Sequence, residues 1–487
     1  MSILNKIIKN TFYLFLSEIL TKIISVIFIG YSARILGATD YGVFVLVSTM
    51  IVISSTFTNF GIRPMIIRKI SKDRSNVEEL ISNILTMRLC LSIITYGALI
   101  LFVNLNGYSQ DIKLFVYIAG IAILFNPISD TFDTVFIAYE RMKISGIFLV
   151  LPTFIFTTLS IIVLAYGYGL KYVFMVNVFV RAVFAFISGY FIWKRFFRFK
   201  PRINPILARD IAKESSLFFV VMLLNILNIK IDIIMISMMN GPIPSNLAIG
   251  YFAPAHNILF ALMIFSQSLN KSMIPIVSQK IDTDPEFVRN SIVNATRFIM
   301  IAICFPVILA TTFFSKEIVT LLFGSGYLMS APALTILGWS YAFFALNIPA
   351  NSILGSSREL KNFLPLLLGI LLLNISLNYL LIPKYSYIGA AIATCVVMFL
   401  GFIGRFYFLR KIIQVRISEL RGYLRLFFIL GITIGSISLI RSYVLLPILI
   451  ISTIVIYIFW LYIFKVFGKE EIDLVNQWVS RKAKVLT

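Results

Sequence analysis

Eleven ionisable side chains lie inside long apolar runs of this sequence, where each charge needs a partner, water or a function. A charge at the centre of a membrane helix costs about 2.5–3.5 kcal/mol on insertion scales. Seven of these residues are basic and four are acidic, so a cavity that gathered them would attract an anion. They are Lys22, Arg88, Arg181, Lys230, Lys271, Arg297 and Arg405, with Glu18, Asp130, Asp133 and Asp232.

Basic side chains deep in the apolar runs are the predicted contacts of an anionic substrate. Arginine and lysine bind phosphate groups well, so a phosphate or pyrophosphate headgroup is the natural ligand. Two further basic residues, Lys271 and Arg405, lie near enough to a membrane interface to extend their charges into water. The predicted contacts are Lys22, Arg88, Arg181, Lys230 and Arg297.

Two helical patterns surround these contacts. Glu18 and Lys22 are four residues apart, which suits an ion pair on one helix; alternatively, Lys22 faces a cavity and Glu18 tunes it or binds a cation. Asn225, Asn228 and Asp232 fall on one face of a later helix. Such a stripe avoids lipid, and we expect it to line the cavity.

Asp130 and Asp133 form a second acidic group, in the segment NPISDTFDTVF. They suit a cation or proton site, or ion pairs with Arg141 or Lys143 a few turns on. Together with Glu18 they are the candidates for coupling to Na⁺ or H⁺. No other cofactor, no metal and no catalytic residue is predicted.

The amino-acid composition indicates the environment in which this chain folds. Of 487 residues 59% are apolar and 13% charged, whereas a soluble domain has about a quarter charged residues. A soluble fold is therefore excluded, and unbroken apolar runs exclude an outer-membrane barrel, whose strands alternate. The net charge of +22 would suggest nucleic acid in a soluble protein. Here it indicates a membrane surface, and we expect no nucleic-acid partner.

The apolar runs predict an all-α polytopic membrane protein with about 14 transmembrane helices, since each crossing takes about 20 residues. The predicted spans are 11–35, 43–62, 80–104, 112–138, 144–166, 171–193, 215–239, 247–277, 291–314, 331–355, 362–382, 386–409, 422–440 and 444–466.

Basic residues alternate between the loops of these spans. With the N-terminus in the cytoplasm, cytoplasmic segments hold 30 of the 43 Lys and Arg and outer segments hold six. This asymmetry is what the positive-inside rule requires. We therefore expect both termini in the cytoplasm.

A basic loop divides the spans into two sets of six that each begin in the cytoplasm, as parallel repeats do. The predicted organisation is an N-terminal lobe at 1–193, a cytoplasmic linker at 194–214, a second lobe at 215–409, two additional helices at 410–466 and a cytoplasmic interfacial tail at 467–487.

Several stretches resemble one family in order and spacing. They are RILGATDYGVF after span 1, ERMK after span 4, KIDIIMI with AIGYFAPAHNI in spans 7 and 8, and NISLNYLLIPKYSYIGAAIATCVV across spans 11 and 12. The chain resembles the polysaccharide-biosynthesis membrane proteins over spans 1–12. These are O-antigen-type flippases of the multidrug/oligosaccharidyl-lipid/polysaccharide exporter superfamily, whose relatives include the multidrug (MATE) transporters.

The resemblance implies two six-helix lobes around a central cavity and alternating access by rocking of the lobes. It implies flipping of a polyprenyl-phosphate- or pyrophosphate-linked oligosaccharide from the cytoplasmic to the outer leaflet of the inner, or sole, cell membrane. Membrane lipids and glycan-assembly enzymes would be its partners. Asp232 matches the family's acidic position in span 7.

Other functions stay open at this point. A drug or metabolite antiporter driven by Na⁺ or H⁺ belongs to the same superfamily, and a peptidoglycan lipid-precursor flippase would have a similarly cationic cavity. A membrane enzyme needs acid–base groups or metal ligands near water. The short outer loops offer few carboxylates, and His256 is the single histidine. We therefore expect a transporter and not an enzyme, with His256 either sensing protons or packed by a hydrogen bond.

Overall fold

The computed structural model describes residues 3–196, 201–281, 283–349, 351, 360–413, 417–464 and 466. Helices are the only regular secondary structure in these ranges. The predicted interfacial tail at 467–487 lies outside the described residues.

Sixteen α-helices occur in the described ranges. A π-helical turn (Met300–Cys304) joins α10 to α11, and a short 3₁₀ helix (Ser325–Ser330) precedes α13. The helices are α1 (Ile3–Asn59), α2 (Arg63–Lys72), α3 (Val77–Leu105), α4 (Gln110–Gly120), α5 (Ala122–Ala138), α6 (Met142–Ala165), α7 (Leu170–Arg195), α8 (Pro205–Met238), α9 (Ser245–Lys280), α10 (Pro285–Ile299), α11 (Phe305–Phe313), α12 (Ser315–Phe323), α13 (Ala331–Leu346), α14 (Leu360–Ile413), α15 (Ile417–Ile440) and α16 (Leu446–Ile463).

Twelve helical segments among the described residues are long and apolar enough to cross a membrane, and every predicted span falls on one of them. Two of the segments, Phe12–Lys72 and Phe363–Tyr407, are 61 and 45 residues long, enough for two crossings each. Each contains a backbone break, at Gly37 (φ 71°) and at Ser386 (φ 52°). The all-α multi-pass class is confirmed, while the count of fourteen crossings stays a prediction.

Side-chain caps mark where several of these helices begin. Ser109 accepts a hydrogen bond from the backbone N–H of the third residue of α4, and Asp284 does the same for α10 at 3.0 Å. Asn204 caps α8, with Pro205 in the first turn, where its missing N–H costs nothing. The helix therefore begins inside the predicted linker at 194–214.

Cα packing divides the chain into two compact units. This grouping describes the packing of one conformation and does not test the lobe boundaries expected from the sequence, which stay predictions. The first unit comprises Met1–Ile264, Ser315–Leu337 and Arg358–Gly401, and the second comprises Phe265–Phe314, Gly338–Ser357 and Phe402–Thr487.

An apolar core in the first unit joins the helices that carry several of the candidate residues. Ile70 of α2, Ile81 of α3, Phe136 of α5 and Ile211 of α8 are each completely buried in it. Burial of a side chain of this size stabilises a fold by about 1.5–3 kcal/mol. This core fixes α3 and α5, which bear Arg88 and the two aspartates, against each other.

Helices α1 and α9 cross at backbone contact in the same unit. A Cβ atom on Gly42 would come within 1.9 Å of the Asn246 carbonyl oxygen, and one on Gly250 within 1.8 Å of the Ala38 carbonyl oxygen. Two atoms that are not bonded to each other cannot come this close. Both positions therefore require glycine at this separation of the two helices. The two glycines bring the helices that bear Lys22 and His256 close together.

We expect Gly250→Ala to lower the melting temperature of the purified protein, because the added methyl forces α1 and α9 apart at a cost of about 1–3 kcal/mol. Gly97→Ala is the matched control, since a Cβ there meets no atom within 4 Å and alanine favours the helix. Thermal unfolding in detergent measures both variants. Equal melting temperatures for the two would contradict the tight crossing.

Candidate functional site

Two lysines from different helices face one aromatic ring in the first unit. The Lys22 ammonium on α1 lies 4.7 Å from the centre of the Phe260 ring on α9, and the Lys230 ammonium on α8 lies 5.3 Å from the same centre. A ring face attracts cations, which offsets part of the cost of holding these charges in the protein. Glu18, one turn before Lys22, also attracts its ammonium group. Two of the predicted anion contacts are thus brought together.

His256 lies one turn before Phe260 on α9. The two rings are nearly parallel, 12° apart in plane and 6.2 Å apart in centre. His256 Nε2 lies 3.2 Å from the Ile229 carbonyl oxygen of α8. This arrangement favours hydrogen-bonded packing over proton sensing, and it fixes the face of α9 that carries Phe260.

Asp232 is buried in a polar cluster between α8 and α14. Asn378 Nδ2 donates to Asp232 Oδ1 at 2.7 Å, and the Thr394 hydroxyl lies 2.6 Å from Asp232 Oδ2. Asn378 Nδ2 also lies 2.8 Å from Asn374 Oδ1. Only 1% of Asp232 is exposed, so these neutral donors replace water around its carboxylate.

Sequence reasoning missed the partners of Asp232. Asn374, Asn378 and Thr394 all belong to the stretch NISLNYLLIPKYSYIGAAIATCVV that carried the family resemblance. The available signal was the i, i+4 spacing of two asparagines in an apolar run, which places both on one helix face. The motif thus has a physical reason, because it supplies the donors for a buried carboxylate.

The polar stripe predicted on α8 divides between two environments. Asn228 is 6% exposed and donates to the carbonyl oxygen one turn back. Asn225 is exposed and makes the same kind of bond. Asp232 is enclosed by protein, as described above. Two members of the stripe are thus buried and one is exposed, and a cavity-lining role for the stripe stays a prediction.

Arg88 is 3% exposed, and its guanidinium is bonded to protein on every side. It donates to the Thr58 carbonyl oxygen at 3.0 Å, to Thr131 Oγ1 at 2.6 Å and to Asn59 Oδ1. Asp130 Oδ2 lies 3.5 Å away. A guanidinium so fully engaged holds α1, α3 and α5 together, so the predicted contact between Arg88 and an anion does not describe this conformation.

The two aspartates of α5 have ion-pair partners on other helices. Asp133 pairs with Arg63 at the start of α2, at 2.8 Å, and accepts a hydrogen bond from Ser145 at 2.5 Å. Asp130 pairs with Arg88. The sequence prediction named basic residues just after span 4 as the alternatives to an ion site. The partners are different because α2 and α3 pack against α5, which spacing along the chain does not show.

The remaining basic residues lie apart from the lysine pair. Arg181 of α7 lines a separate cavity in the first unit. In the second unit, Arg297 donates to the Val466 carbonyl oxygen and Arg405 lines a cavity of about 190 Å³. The side chain of Lys271 lies outside the described residues. Within the described part of the chain, no group of three or more His, Cys, Asp or Glu is placed to hold a metal ion.

Comparison with known families identifies the chain. The family described as "Polysaccharide biosynthesis protein" matches residues 7–280, more than half of the sequence. The chain belongs to this family. The resemblance drawn from the short motifs is therefore confirmed.

Two curated relatives of this polysaccharide biosynthesis protein align over most of its length. One is the capsular polysaccharide biosynthesis protein CapF of Staphylococcus aureus, 23% identical over 83% of this chain and 100% of the relative. Another is a putative O-antigen transporter of Shigella flexneri, 24% identical over 80% of this chain and 94% of the relative. The expectation of a transporter and not an enzyme is confirmed by these relatives and by the family.

Solved structures share the fold. The lipid II flippase MurJ in an inward closed conformation superposes with a TM-score of 0.74 at 16% identity, covering 94% of this chain and 98% of MurJ. An inward-facing multidrug resistance MATE transporter superposes with a TM-score of 0.60 at 14% identity, covering 80% of this chain and 95% of the transporter. These likenesses confirm the predicted all-α fold of many apolar helices.

We expect Thr394→Val to destabilise the protein by about 1–3 kcal/mol, because the buried carboxylate of Asp232 loses a donor. Thr453→Val is the matched control. Thr453 is equally buried and bonds only to the carbonyl oxygen four residues back, a bond that Thr394 can also make. Thermal unfolding of both variants measures the difference. A loss no larger than in the control would show that Asp232 does not need this hydroxyl.

Proposed function

We propose that this protein flips a polyprenyl-phosphate- or pyrophosphate-linked oligosaccharide from the cytoplasmic to the outer leaflet of the cell membrane. The observation that carries the proposal is the pair of lysines, Lys22 and Lys230, whose ammonium groups lie 4.7 and 5.3 Å from the centre of the Phe260 ring. Family membership supports the role in polysaccharide biosynthesis. The positive-inside pattern supports cytoplasmic termini, and glycan-assembly enzymes on that side are the proposed protein partners.

The phosphate group of the substrate would bind the two lysines. Each ammonium group is held by a ring face, worth about 0.5–2 kcal/mol, and a charge-assisted hydrogen bond to phosphate is stronger than a neutral one. An arriving phosphate therefore gains more from these lysines than the ring loses. The polyprenyl tail stays in the bilayer, since its transfer into a polar cavity would expose apolar surface.

Alternating access would be provided by rocking of the lobes at 1–193 and 215–409. The crossing of α1 and α9 at Gly42 and Gly250 joins helices of both lobes at a single level. By the charge pattern this level is the outer end of the bundle, so the crossing would be the closed outer gate. Opening requires the two glycine contacts to separate.

The two lysines also separate this proposal from other functions. A cationic drug would be repelled by them, which disfavours a drug antiporter. A peptidoglycan lipid precursor carries similar phosphate chemistry, so the identity of the cargo decides between the two flippases. Lipid mass spectrometry on cells depleted of the protein identifies that cargo. A polyprenyl-linked glycan should accumulate and be protected from an enzyme added outside intact spheroplasts.

We expect Lys22→Gln and Lys230→Gln each to reduce flipping by about tenfold or more, since a charged hydrogen bond to phosphate contributes about 1.5–3 kcal/mol. Lys171→Gln is the matched control, because Lys171 is exposed at the start of α7. The readout is accumulation of the lipid-linked glycan in cells complemented with each variant. Wild-type transport in both lysine variants would remove these residues from the site.

We also propose that transport is coupled to H⁺ or Na⁺ at Asp232, in place of the acidic residues named from the sequence. Asp130 and Asp133 are engaged by arginines, whereas the bonds to Asp232 come from neutral side chains. The positive charge of Lys230 also attracts Asp232 but forms no direct bond with it among the described residues, so the carboxylate remains available to a cation. Binding there would change the packing of α8, the helix that also bears Lys230.

We expect Asp232→Asn to make flipping insensitive to the ion gradient, because the amide keeps the size of the side chain but has no negative charge to attract Na⁺ and takes up no proton at neutral pH. Asp111→Asn, at an exposed position in the first turn of α4, is the control. Flipping is measured in proteoliposomes with imposed pH or Na⁺ gradients. Gradient-dependent transport by the Asp232 variant would exclude coupling at this carboxylate.

A further inference from the structure

A second polar cavity opens among α1, α5 and α7 of the first unit. Its volume is about 440 Å³, within the range of about 300–1,000 Å³ found for small-molecule sites. Neither lysine of the proposed phosphate site lines it. The cavity therefore has to be explained separately, and we call it the Arg181 cavity.

Two side chains of α7 face this cavity with free hydrogen-bonding capacity. Asn177 and Arg181 are four residues apart, so they lie on the same face of the helix. Arg181 remains exposed although it is in the middle of α7, because it borders the cavity. Within the described residues, neither side chain makes a hydrogen bond or an ion pair closer than 4 Å. Seven N–H donors thus face an open space.

The charge around this space is positive. Asp130 lines the cavity, and it attracts both Arg181 and the buried Arg88 behind it. One negative carboxylate therefore lies near two positive guanidinium groups, so the three groups together keep an excess positive charge. Arg181 lines the cavity, and the planar fork of a guanidinium can bind a carboxylate at two points.

Aromatic side chains form an apolar part of the cavity wall. Phe174 of α7 is 3% exposed and stacks on Phe44 of α1, with ring centres 5.7 Å apart, and Phe44 and Phe156 extend the apolar wall. An apolar wall beside amide and guanidinium donors suits a sugar ring, which has an apolar C–H face and a polar hydroxyl edge. Apolar walls with a few placed polar groups are typical of specific small-ligand sites.

We propose that the Arg181 cavity binds a carboxylate-bearing sugar unit of the transported glycan, with Arg181 on the carboxylate, Asn177 on a hydroxyl and the apolar wall of Phe44 and Phe156 beside the ring. This inference rests on the proposed flippase function and adds to it the kind of sugar that the protein selects. The phosphate and the sugar would then be bound by different groups of residues.

Methyl β-glucuronide and methyl β-glucoside test the proposal, since they differ only in a carboxylate in place of a hydroxymethyl group. Calorimetric titration of the full-length protein in nanodiscs at pH 7 should show the glucuronide binding about tenfold tighter. Arg181→Gln should reduce this preference to within about twofold. Equal binding of the two sugars by the wild type, or an unchanged preference in the variant, would overturn the proposal.

Two further variants keep the test decisive if Arg181→Gln fails to fold. Arg181→Lys keeps the charge without the two-point fork, so its preference should be intermediate. Asn177→Ala should weaken both sugars equally, because it removes a hydroxyl contact. An unchanged preference in Arg181→Lys together with unchanged affinities in Asn177→Ala would remove both residues from a sugar site.

Inorganic phosphate distinguishes the two sources of an anion. If phosphate binds in a manner that needs Arg181 while the glucuronide does not bind, the cavity is a phosphate site and the sugar assignment is overturned. Lys171→Gln, at an exposed position in the first turn of α7, should leave the preference for glucuronide unchanged. If glucuronide binds as expected but depleted cells accumulate no lipid-linked glycan, the sugar site is supported and the flippase function is overturned. If the glycan accumulates but the protein shows no preference between the two sugars, only the sugar site is overturned.

Discussion

Every polar group within the membrane must find its partners inside the protein, since lipid offers none. This constraint explains most of the buried charges. Arg88 is bonded to a carbonyl oxygen, two polar side chains and a carboxylate, and Asp232 is enclosed by neutral donors. Each such group bonds to helices that are distant in sequence. The hydrogen bonds that offset the cost of burying it therefore also fix how those helices pack.

The same constraint makes the incompletely engaged groups informative. Lys22 and Lys230 contact the same aromatic ring, which holds each of them less strongly than a carboxylate would. Arg181 and Asn177 face an open cavity. A charged side chain at membrane depth that is only partly paired within the protein generally faces a ligand or water. The structure thus separates residues whose charge is fully engaged by other side chains from residues whose charge is only partly engaged.

Glycine packing and the polar clusters act on the same helices. Gly42 and Gly250 bring α1 and α9 to backbone contact, while α8 carries both Lys230 and Asp232. Lys230 and Asp232 are two residues apart on α8 and attract each other, so the proposed ion site and one of the proposed phosphate contacts belong to the same helix.

The sequence by itself determined the membrane class, the positions of the helices and the family, because apolar runs, charge asymmetry and short motifs are local properties of the chain. It also named the residues that bear charge at membrane depth. Only the tertiary structure decided which of them serve each role. Arg63 pairs with Asp133, and Lys22 meets Lys230 across one ring, because helix packing joins residues that are 70 and more than 200 positions apart. Spacing along a single helix carries no information about such contacts, and for that reason the partners of Asp232 were found only in three dimensions.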